Sequence, residues 1–194
     1  QCDQDTIKYK VHKDLYDLAI SQLVKETRFS DLMIIGSETF FKDGPAGNYD
    51  YLRDTLHNTE CPVLIVPEEY SFPDSIILAY DGSESSVYAI RQFANLFPEM
   101  CHLKTTLVYA GNDKKEIPDR ALIEELVSCH FGNLSVSKIF GENKKKFDHW
   151  LKDQFNQLLV SGSFSRTDVS ELFNKSFAIN IIREHTTPVF IAHH

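Results

Sequence analysis

Three short clusters hold residue types that could do chemistry. Asp81-Gly82-Ser83 follows the apolar run Ser75 to Tyr80, Gly162-Ser163-Phe164-Ser165 closes the run Gln157 to Ser161, and Lys175-Ser176 follows further on. Glycine at the end of a strand lets a ligand approach the backbone closely, and a Lys-Ser pair at a helix start can donate to an anion. The chemistry on offer is therefore noncovalent binding. Asp81 has a second reading, because an Asp between strand and helix is also a turn or capping residue. Gly162-Ser163-Phe164-Ser165 lacks the second glycine of a nucleophile elbow, so no catalytic constellation is expected.

Other reactive groups have ordinary explanations. Cys101-His102 and Cys129-His130 each precede an expected strand, and the two strands should be neighbours. Zinc sites usually pair their ligands through short loops, which these adjacent dipeptides do not reproduce, so buried thiols beside surface histidines are expected. His193-His194 takes no role. Four cysteines without a close CxxC pair suit reduced thiols. The formal charge of -8 argues against a nucleic-acid surface, and Lys144 to Lys146 read as a solvated helix face. No apolar run approaches the roughly 18 to 20 residues that span a bilayer, so no membrane role and a cytoplasmic location are expected. Phe40-Phe41 introduces a loop expected at the sheet's ligand edge, as a cap or as a local anchor.

The elements that would position these residues emerge from an internal repeat. Asp31-Leu-Met-Ile-Ile-Gly-Ser37 returns as Gln157-Leu-Leu-Val-Ser-Gly-Ser163, and Cys61-Pro-Val-Leu-Ile-Val66 returns as Thr187-Pro-Val-Phe-Ile-Ala192, each pair 126 residues apart. Runs such as Leu32 to Ile35 and Leu158 to Val160 are apolar at consecutive positions, as parallel strands covered on both faces are. Leu15, Leu18, Ala19, Leu23 and Val24 form one helical stripe, and Phe147, Trp150, Leu151 and Phe155 form its counterpart. Only the second copy has a front half, with a strand at 75–80, a helix with Val87, Ile90, Ala94 and Phe97 on its stripe, and a strand at 105–109. A helix from about Pro118 to Cys129 follows, with Leu122, Leu126 and Val127 or Cys129 inward.

This pattern predicts an α/β protein built on a doubly wound, five-stranded parallel sheet in tandem arrangement. Residues 1–71 read as the strand-helix-strand-helix-strand rear part of a first unit, and residues 72–194 as a complete second unit. Two strands and two helices of the first unit are not represented. Their absence would leave apolar helix faces wet, so either the chain is a piece of a longer tandem protein or another molecule completes that unit.

With Asp81-Gly-Ser-Glu-Ser-Ser86, a later strand ending in Gly-Ser and a closing Pro-Val-Phe-Ile strand, the sequence resembles the universal stress protein family over nearly its whole length. The resemblance implies a parallel sheet, dimerisation through the last strand, tandem chains and, in one branch, ATP at the carboxyl ends of the strands. That branch carries Gly-x2-Gly-x9-Gly-Ser/Thr after its fourth strand. Here the positions fall on Gly162, Ser165, Lys175 and Ser176, so two of three glycines are replaced; in the first copy they fall on Gly36, Thr39, Tyr49 and Asp50. Asp81 matches the residue beside the nucleoside. The expectation is a non-catalytic stress-response module, with ATP binding lost and no cofactor, acting through surface contacts. It would work as a homo-oligomer or through pairing of the tandem units' last strands. The alternative is an ATP-binding member with at most slow hydrolysis, in which Asp81, Gly82, Ser83, Gly162, Ser163, Ser165, Lys175 and Ser176 line the site.

Overall fold

The computed structural model describes Lys8 and residues 20–37, 55–111, 116–140, 156–162 and 187–192. Along the chain these give α1 (Ile20–Thr27), β1 (Met33–Gly36), β2 (Val63–Val66), β3 (Ser75–Tyr80), α2 (Glu84–Leu96), a single 3-10 turn (Pro98–Met100), β4 (Lys104–Gly111), α3 (Arg120–His130), β5 (Asn133–Phe140), β6 (Gln157–Gly162) and β7 (Val189–Ala192). The expected helices around 15–19, 147–155 and 163–176, and the Phe40-Phe41 loop, lie outside the described residues.

The strands form one sheet in the order β1-β2-β7-β6-β3-β4-β5. Neighbours from β7 to β5 are parallel, β1 and β2 are parallel, and β2 meets β7 antiparallel, with Leu64 opposite Phe190. The five parallel strands expected within residues 72–194 are β3 to β7, and β1 and β2 extend them into one mixed sheet of seven, which the sequence reading did not foresee. The physical reason is that β2 and β7 both end a repeat and present edges that satisfy each other's backbone groups. The repeat itself is structural. Met33 N–H donates to the Pro62 carbonyl at 2.9 Å, and Leu159 N–H, 126 positions later, donates to the Pro188 carbonyl at 3.0 Å.

The core under α2 and α3 follows from side chains that share one face of the sheet. Ile76, Leu78 and Tyr80 of β3, Leu107 and Tyr109 of β4, Val160 of β6 and Phe190 of β7 are buried there with Ala89, Ile90 and Phe93 of α2. Phe93 and Phe97 both meet Phe190 edge-on, with centroids at 5.4 and 6.0 Å, a geometry that suits the quadrupoles of aromatic rings.

Two sequence expectations change. Helix α3 begins at Arg120; Val127 is buried and Leu126 packs against the core as expected, but Leu122 is 67% exposed and Ile123 is buried in its place. Pro118 stays outside the helix, and Asp119 takes a left-handed conformation before Arg120, so the first inward position of the helix is Ile123 and not Leu122. The consecutive apolar run of β1 is also not covered on both faces, since Ile34 is 65% exposed.

Candidate functional site

The carboxyl end of β3 turns directly into α2, and that turn gathers the described candidates. Asp81 Oδ1 accepts from the Ser83 N–H at 2.9 Å, an Asx turn that folds the chain back toward the helix. Ser83 is the N-cap, its Oγ accepting from Ser86 N–H at 3.2 Å, while Ser86 Oγ donates to the Ser83 carbonyl at 2.8 Å. Glu84 in the first turn complements the helix dipole. The serine-rich string Ser83-Glu84-Ser85-Ser86 is thus first a helix start.

Both glycines are held by close approach of other parts of the chain. Gly82 has φ +85°, where L side chains are strained, and a Cβ there would lie 2.8 Å from the ring of Pro118. At Gly162 a Cβ would lie 2.6 Å from Ser85 C and from Ser86 N, so the end of β6 is tucked under the first turn of α2. Asp81, Gly82, Ser83 and Gly162 therefore converge, whereas Ser163, Ser165, Lys175 and Ser176 lie outside the described residues.

Tyr80 and Pro118 complete the crevice, and the residue reading missed both. Tyr80 is 1% exposed, and its hydroxyl donates to the Pro118 carbonyl at 2.9 Å. A tyrosine ending a buried strand needs a partner for its polar tip, which was the available signal. Burial pushes the Tyr80 phenol above its ordinary range, assisted by the negative charges of Asp119 and Asp81 and by Tyr109. Burial does the same at Tyr109, with a smaller push from Asp81. Beside this point a cavity of about 430 Å³ opens between α2 and α3, with Tyr80, Val87, Tyr88, Leu122 and Leu126 among its walls and Glu84, Arg91 and Asp119 contributing charge.

A second unforeseen cluster surrounds Asn156, a non-glycine residue at φ 48°. Its Nδ2 donates to the Phe72 carbonyl at 2.7 Å and to Asp74 Oδ2 at 2.9 Å, and its Oδ1 accepts from Ser71 Oγ at 3.0 Å. Asp74 N–H donates to the Asn156 carbonyl at 2.8 Å. Asn156 thereby fastens residues 71–74, the junction between the repeats, to the start of β6.

Among the described residues no group of three or more His, Cys, Asp or Glu side chains could hold a metal ion. Cys101 is buried beside an exposed His102, as expected, but Cys129 is exposed with His130. Burial raises the Cys61 and Cys101 thiols above their ordinary values. No helix among the described residues is long and apolar enough to cross a membrane.

No protein-family model matches the chain, and no curated protein matches it in sequence. Solved structures do. A universal stress protein from Archaeoglobus fulgidus DSM 4304 superposes with a TM-score of 0.63 at 17% identity, over 90% of this chain and 65% of that one. The chain thus spans 65% of the length of that protein. A protein of unknown function from Pseudomonas aeruginosa PAO1 gives 0.59 at 14% identity, over 98% of this chain and 74% of that one. A putative universal stress protein from Pseudomonas aeruginosa UCBPP-PA14 gives 0.57 at 15% identity, over 98% and 74%.

Proposed function

We propose, from a fold shared with the universal stress proteins, that this chain is a non-catalytic stress-response module whose crevice at the carboxyl end of β3 no longer holds ATP. It acts through self-association and surface contacts. The reading assigns residues 1–71 to the rear part of one unit and residues 72–194 to a complete second unit, joined through the antiparallel β2 and β7.

One observation carries it. The four described candidates are already engaged by the chain itself: Asp81 by the Ser83 amide, Gly82 by Pro118, Ser83 as the cap of α2, and Gly162 by the backbone of Ser85 and Ser86. Replacement of two glycines by Ser165 and Lys175 adds to this, since side chains there hinder a main chain that must wrap a triphosphate. Calorimetric titration with ATP and magnesium tests the reading. No saturable binding is expected up to millimolar ATP, while a Ser165→Gly, Lys175→Gly double variant should bind more tightly than the parent. Micromolar binding by the parent chain would overturn it.

A further inference from the structure

The cavity of about 430 Å³ between α2 and α3 reaches away from the crevice at the end of β3, and neither Asp81 nor Gly162 lines it. Each helix offers it a matching row of side chains. On α2 these are Glu84, Val87 and Arg91; at the same spacing, from the N-cap of α3 onward, stand Asp119, Leu122 and Leu126. Positions i, i+3 and i+7 share one face of a helix, so each row runs for about 10 Å down a single side. A carboxylate stands first in both rows, where the helices begin, and apolar side chains follow. Arg91 ends the row of α2. Val87 and Leu126 are partly buried against the core, whereas Leu122 is 67% exposed and contributes nothing to it.

The shape of this cavity is set in advance, and its charges are free. The Tyr80 hydroxyl holds the Pro118 carbonyl at 2.9 Å and the Pro118 ring is committed to Gly82, so the entry to α3 is fixed in place. An Asp at an N-cap ordinarily accepts from the amides of the first turn. Asp119 occupies that position of α3 at φ 45°, yet its side chain makes no capping bond. Among the described residues Glu84, Arg91 and Asp119 form no ion pair, although Arg120 beside them pairs with Glu124 at 2.7 Å. Burial raises the Tyr80 phenol, and Asp119 and Asp81 raise it further, so the inner wall of the cavity lies in a negative field. Hollows of roughly 300 to 1,000 Å³ with apolar walls and a few placed polar groups are the usual form of small-molecule sites.

We infer that the cavity between α2 and α3 is a binding site for a small amphipathic cation, an ammonium or guanidinium group carried on an apolar body about 10 Å long. The head sits between Glu84 and Asp119, where two free carboxylates meet one positive charge. The body lies along Val87, Leu122 and Leu126 and takes out of water the leucine that the core does not use. Arg91 repels a positive head at the far end of the α2 row, which fixes the direction in which the ligand lies. An anion of the same shape finds only the exposed Arg91 and no second cation on the opposite wall, so the site favours the cation. This inference is independent of whether ATP binds in the crevice.

The test is an amide-detected NMR titration of the whole chain with phenylbutylammonium chloride, and in parallel with phenylbutyrate, an anion of like shape. The ammonium should give saturable shifts in residues 84–91 and 119–126 and should bind about tenfold more tightly than the carboxylate. Glu84→Gln combined with Asp119→Asn should remove that preference; asparagine tolerates the left-handed backbone at 119, so the fold is kept. Leu122→Ser should weaken both probes about fivefold without lowering the thermal midpoint, because Leu122 is 67% exposed. Absence of saturable shifts, shifts confined to other segments, equal or tighter binding of the carboxylate, or a preference that the double variant keeps overturns the proposal. So do shifts in 84–91 and 119–126 that depend on protein concentration before any probe is added, which would make a second copy of the chain the occupant.

Discussion

Substituting Gly162 by alanine separates packing from ligand binding. The new methyl would sit 2.6 Å from Ser85 C and Ser86 N and 2.8 Å from Ser85 O. All three are backbone atoms in the first turn of α2, and that turn is held by the Ser83 cap and by Ile90 and Phe93, each 0% exposed. Reaching ordinary contact near 3.4 Å requires a shift of about 0.8 Å in a packed helix start. Overpacking of this kind costs about 2 to 3 kcal/mol. For a chain of 194 residues that corresponds to a fall in thermal midpoint of roughly 5 to 10 °C. The assay is thermal unfolding followed by circular dichroism, with and without millimolar ATP. The expected outcome is the full loss of stability in both conditions, with ATP moving neither protein. An alanine variant as stable as the parent would refute the packing argument, because no backbone could then be as close as the structure places it.

Tyr80→Phe removes the hydroxyl that reaches the Pro118 carbonyl and should cost about 1 kcal/mol, read as a lower midpoint in urea. Because the folded Tyr80 and Tyr109 phenols titrate above the ordinary value near 10, their contribution is complete below pH 10 and is lost as pH rises through the folded values; stability should fall above pH 10, less steeply in Tyr80→Phe. Asn156→Ala removes three side-chain hydrogen bonds and places alanine at φ 48°, so protease cleavage at 68–74 should accelerate about tenfold, with Asn156→Gly intermediate. With a thiol reagent followed by peptide mapping, exposed Cys129 should label at least tenfold faster than buried Cys61 and Cys101.

Much of this architecture was legible because local pattern and long-range pairing agree. The apolar run 75–80 is the whole of β3, and the repeated Pro-Val motifs are β2 and β7, placed by the same proline-carbonyl bond. A meeting of the two repeats' last strands was suggested only by the family resemblance; that β2 and β7 join one sheet, and join it antiparallel, was not readable from either strand, since both carry the fully apolar pattern of an interior strand. In α3 only the first inward position was misread, Leu122 for Ile123, because the helix starts at Arg120, after a Pro118 whose ring is committed to Gly82. At the candidate site, Asp81, Gly82, Ser83 and Gly162 were singled out through the family resemblance, and the fold brings them together. Their contacts could not be inferred that way, because a glycine that admits a phosphate and one that admits a neighbouring helix look identical in sequence. Tyr80, Pro118 and Asn156 were passed over, their roles arising from tertiary partners 38, 38 and 82 to 85 positions away.

The most direct test of the whole account is native mass spectrometry of the chain in excess ATP and magnesium. Stripped of weak adducts by gentle activation, the spectrum should return multiples of the bare 22.3 kDa chain. A discrete peak one ATP heavier per chain, surviving that activation, would mean that the crevice opens to a nucleotide after all.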